Sequence, residues 1–96
     1  MEETRDAYIQ QRQAELKELE VRLDLLESKA EHADAEAKLG YSEQIYELRE
    51  KHDNLKDDIE DLKKADEHAW KDLRSKIEEA ATDLRTALDV AATRFK

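Results

Sequence analysis

The feature that most constrains this chain is an apolar stripe at helical spacing that nothing interrupts for long. Its clearest stretch runs from Trp70 to the end. Residues 70–80 read WKDLRSKIEEA and residues 81–91 read ATDLRTALDVA, so Asp72-Leu73-Arg74 recurs eleven residues later as Asp83-Leu84-Arg85. Eleven residues over three turns is close to the natural helical pitch. Trp70, Leu73, Ile77, Ala80, Leu84, Leu88, Ala91 and Phe95 therefore form one nearly straight stripe. A helix with such a stripe must cover it with another helix, another chain or a lipid surface.

The stripe extends toward the N-terminus as heptads. Over residues 2–39, Ile9, Leu16, Leu23, Ala30 and Ala37 take one core position. Leu19, Leu26 and Ala33 take the other, with Arg5 and Arg12 at its N-terminal end. Over 43–64 it continues through Ile45, Leu48, His52, Leu55, Ile59 and Leu62. The residues expected to form the core or interface are Leu16, Leu19, Leu23, Leu26, Ile45, Leu48, Leu55, Ile59, Leu62, Trp70, Leu73, Ile77, Leu84, Leu88 and Phe95.

Composition agrees with long helices. Charged residues make up 45% of the 96, proline is absent and Gly40 is the one glycine. Two places can interrupt the helix. Gly40 suits a helix C-terminus, Ser42 can cap a new helix, and Tyr41 with Tyr46 fits a hydrophobic staple. The competing reading is a continuous helix, because Ala37, Tyr41, Ile45 and Leu48 carry the stripe through Gly40. At 65–68 the stripe weakens, and Asp66 can cap the last helix. Helices are thus expected at about 2–39, 43–64 and 67–95 in a single helical coiled-coil domain spanning 1–96. The fold class is all-α: a long-helix coiled coil, as an antiparallel hairpin or a three-helix arrangement, expected to self-associate. Four pairs at i,i+4 spacing support the helices: Glu18 with Arg22, Asp34 with Lys38, Glu47 with Lys51, and Glu60 with Lys64.

Charge narrows the function. The net charge of −9 argues against nucleic acid, because phosphate backbones select basic faces. There is no cysteine and no apolar run long enough for a membrane span, and the polar start MEETRDAY is not a signal peptide, so a cytoplasmic location is the default expectation. The histidines, His32, His52 and His68, lack the Glu-x-x-His or His-x-x-x-His spacing of a helical metal site. His52 lies on the stripe, where a polar residue tunes register or pH response. Asp57-Asp58 with Glu60-Asp61 reads as a solvated acidic face, since a calcium loop would need a glycine. No phosphate loop and no nucleophile with its base can be assigned. No catalytic residue, cofactor or metal is expected.

The chain resembles a group of small bacterial coiled-coil proteins, some labelled stress-response proteins. The resemblance covers nearly the whole length. It rests on Arg5-Asp6-Ala7-Tyr8, Leu26-Glu27-Ser28-Lys29-Ala30, Tyr41-x-x-Gln44-Ile45-x-x-Leu48-Arg49, Ala69-Trp70-Lys71-Asp72-Leu73 and Ala92-Thr93-Arg94-Phe95-Lys96. Similar chains carry Ser-Gly before the segment matching Ala69-Trp70, where this chain has Asp66-Glu67-His68, and a second tryptophan at the place of Ala81. The resemblance implies a non-enzymatic, stress-linked helical protein and supplies no catalytic residues. The expected role is a structural or interaction module that pairs with itself or another helical protein. The alternative is a protectant whose helix 70–95 covers lipid or hydrophobic surfaces.

Overall fold

In the computed structural model, which describes residues 4–94, the chain forms three helices. They are α1 (Arg5–Glu31), α2 (Ala35–Lys64) and α3 (Glu67–Arg94). No strand occurs among the described residues. Two short turns fold the helices back, so α2 runs antiparallel to α1 and α3, and α1 and α3 run parallel. The bundle measures 50 × 20 × 17 Å, about two helix diameters across.

Each helix begins on a side-chain cap. Thr4 Oγ1 accepts from the Ala7 amide at 3.1 Å, Asp34 Oδ1 from Ala37 at 2.9 Å, and Asp66 Oδ1 from Ala69 at 2.8 Å. The last of these is the cap expected at Asp66. The first turn departs from expectation. It lies at 32–34, not at Gly40, and Gly40 sits inside α2 without positive φ. The heptad over 2–39 therefore describes two helices. Ala33 and Ala37 keep the seven-residue register across the turn, and both still pack against the core, so the pattern hid the break. The local chemistry marks it: His32 closes α1, its Nδ1 donating to the Ser28 carbonyl at 2.9 Å, and Asp34 opens α2.

The stripe is covered within one chain. Leu19, Leu23, Leu26, Leu48, Leu55, Ile59, Leu62, Ile77, Leu84 and Leu88 are buried. Leu16, Ile45, Trp70 and Leu73 are half-buried and pack against them. Each fully buried leucine or isoleucine contributes about 1.5–3 kcal/mol of transfer free energy. Phe95 lies outside the described residues. The core also holds Tyr8, Ile9, Tyr41, Ala81 and Ala91.

Candidate interaction surface

The seam between α1 and α3 is built from opposite charges around an aromatic pair. Tyr8 is 1% exposed, and its ring lies 5.6 Å from Trp70 at a tilt of 43°. The Arg74 guanidinium sits 4.7 Å over Tyr8 and 5.2 Å over Trp70, and Arg12 sits 5.1 Å over Tyr8 from the same helix. The Tyr8 hydroxyl donates a long bond, 3.4 Å, to the Arg74 carbonyl. Burial pushes the Tyr8 phenol above its ordinary pKa, against the opposing pull of Arg12.

Glu15 continues the seam. It accepts from Arg12 at 2.7 Å and from Arg85 of α3, while Arg12 also approaches Glu78 at 3.8 Å. Burial opposes ionisation of Glu15, but the two arginines outweigh it and hold the carboxyl below the usual carboxylate range. Arg22 donates to Asp89 at 2.6 Å further along. On the other seams, Arg49 binds Asp24 and Glu27, Lys51 reaches Asp83 at 2.6 Å, and Lys76 reaches Asp58 at 3.2 Å.

These contacts correct the expected pairing. Arg22 and Lys51 bind across helices to Asp89 and Asp83, instead of Glu18 and Glu47 on their own. Asp34 caps α2, and Glu60 pairs with Lys63 and not Lys64. Asp58 also departs from the solvated acidic face. It is 8% exposed and turned toward α3, whereas Asp57, Glu60 and Asp61 are exposed.

Tyr8 and Ala81 lie outside the narrow heptad seam, while Tyr41 is buried where the stripe through Gly40 placed it. A helix in a three-helix bundle touches two neighbours, so its apolar face is wider than the seam of a two-stranded coil. Tyr8, Arg12 and Leu16 follow one another at i,i+4 and carried that signal. His52 is buried as its place on the stripe required. Its Nδ1 lies 3.1 Å from Asp53, and its Nε2 has no partner. His32 and His68 are exposed, and no cluster of metal-ligating side chains occurs among the described residues.

With the interior closed, large apolar side chains still stand outside. Val21 and Leu25 lie one turn apart on α1, and Leu39 and Tyr46 two turns apart on α2, with Val90 alone on α3. A groove of about 220 Å³ opens at the C-terminal end of the α1/α3 seam, lined by Arg22, Leu25, Leu26, Lys29, Leu88 and Ala92. No helix among the described residues is long and apolar enough to cross a membrane. Compared with family models, curated proteins and solved structures, the chain matches none.

Proposed function

We propose that this protein is a non-enzymatic helical interaction module that self-associates through the outside of a bundle already closed within one chain. The observation that carries the reading is the pairing of exposed apolar residues at helical spacing. Val21 with Leu25 and Leu39 with Tyr46 are each more than half exposed and each share one helix face. Scattered exposed apolar residues are ordinary on any protein. Pairs on one face make a strip that another surface can cover. The stress-linked role implied by the sequence resemblance belongs to this proposal, as does a cytoplasmic setting.

Sedimentation velocity tests it. The expected result is a mass that rises with protein concentration. A monomeric mass at every concentration overturns the reading.

The lipid-surface alternative draws on Trp70, which is half-buried in a hollow lined by Arg5, Lys71 and Arg74 together with Glu67 and Glu78. It requires α3 to leave the bundle, because Ile77, Leu84 and Leu88 face the interior. Trp70 is the one tryptophan, so its emission reports that event. Anionic vesicles are expected to leave it unchanged. A blue shift that survives high salt would put the lipid reading in place of self-association.

A further inference from the structure

The two apolar features at one end of the bundle carry opposite charge and point opposite ways. The groove between α1 and α3 is edged by Arg22 and Lys29. Arg22 already binds Asp89, while Lys29 has no ion-pair partner among the described residues. Outside α2, Leu39 is 73% and Tyr46 72% exposed. Glu43 and Glu47 line a shallow hollow with Tyr46 there, with Glu36 one turn before Leu39 and all three carboxylates exposed. Lys38 and Arg49 lie on the α1 side of Tyr46, and Arg49 is taken up by Asp24 and Glu27.

In a three-helix bundle each seam lies opposite the third helix. The α1/α3 groove therefore faces away from the outer side of α2, at the same end of the molecule. One copy cannot bring these features together.

We propose that they join two copies of this chain head to tail, with Tyr46 of one copy seated in the α1/α3 groove of the next. The phenol ring covers Leu25, Leu88 and Ala92, and Leu39 extends the apolar contact. Glu43 and Glu47 face Arg22 and Lys29. The occupant is a second copy because the chain itself supplies both an acid-edged knob and a base-edged groove. A contact between two different faces leaves one of each free in every dimer, so association continues into open chains and does not stop at a closed pair. The contact is small, so the association is weak and sensitive to salt.

This inference rests on the self-association proposed above, and the test separates the two. Leu25→Asp spoils the groove and leaves the knob, and Tyr46→Asp spoils the knob and leaves the groove. Both positions are exposed, and circular dichroism of each variant against wild type confirms that the helices are retained. Sedimentation velocity is then run on wild type, each variant alone and their equimolar mixture. The expected result is a concentration-dependent series for wild type, monomer for each variant alone, and dimer with nothing larger for the mixture. Wild type that associates while either variant associates equally well, or a mixture that stays monomeric, overturns the head-to-tail contact and leaves self-association standing. Wild type that is monomeric throughout overturns both.

Discussion

Tyr8 near the start of α1 and Trp70 near the start of α3 hold their rings 5.6 Å apart, with the Arg74 guanidinium over both. The pair ties together segments that are distant in sequence, and it does so by burying Tyr8 almost completely. Tyr8→Ala removes a core side chain and its partner for two cations. The expected loss is about 3 kcal/mol or more, read from the urea midpoint. Tyr8→Phe gives up only a 3.4 Å hydrogen bond, so its expected loss is within about 1 kcal/mol. Equal losses would show that the hydroxyl, and not the ring, holds the seam.

Gly40 lies within α2 and has no positive φ. Gly40→Ala is expected to raise stability by up to about 1 kcal/mol, since alanine favours the helix that glycine only tolerates. A clear loss in thermal or urea unfolding would restore the turn at this position.

Leu23 is 1% exposed and Asp57 is solvent-exposed. Leu23→Asp puts a charge where no partner stands, at an expected several kcal/mol, enough to unfold a small bundle. Asp57→Ala is expected to stay within about 0.5 kcal/mol. Similar urea midpoints for the two variants would contradict the packing register.

Glu15 gives the acid limb of stability a named source. Its carboxyl is held below the ordinary value in the folded state by Arg12 and Arg85, against the effect of burial. A group whose folded pKa is depressed adds stability above its unfolded pKa. That stability is lost as pH falls through the folded value. Glu15→Gln is therefore expected to be less stable than wild type at neutral pH, with the gap narrowing in acid. A gap that stays constant across the carboxylate range would remove the linkage from this residue.

Much of the architecture could be read in the sequence because the stripe is a direct consequence of helical pitch. The core positions from Leu19 to Leu88 announce themselves by spacing, and Asp66 announces its cap by chemistry. The first turn was hidden for a physical reason. Ala30, Ala33 and Ala37 all pack against the core from either side of it, so periodicity passes through 32–34 unbroken, while Gly40 advertised a break that α2 does not take. The choice of ion-pair partner was hidden as well. Arg22 can satisfy Glu18 or Asp89, and only the packed seam decides between them. The outer faces were the least legible. Leu25 and Tyr46 stand next to the stripe residues Leu26 and Ile45, and only the bundle shows that each points outward.

One chain closes its own core, and the self-association proposed above would then use only the outside of the bundle. Ellipticity at the helical minimum, followed on dilution until the sedimenting mass is that of one chain, tests this most directly. Helicity is expected to stay constant through that range, because Leu23, Leu48, Ile59, Ile77 and Leu84 remain covered in the monomer. Helicity that falls in step with dissociation would contradict it, and would place the cover of the stripe on a second chain.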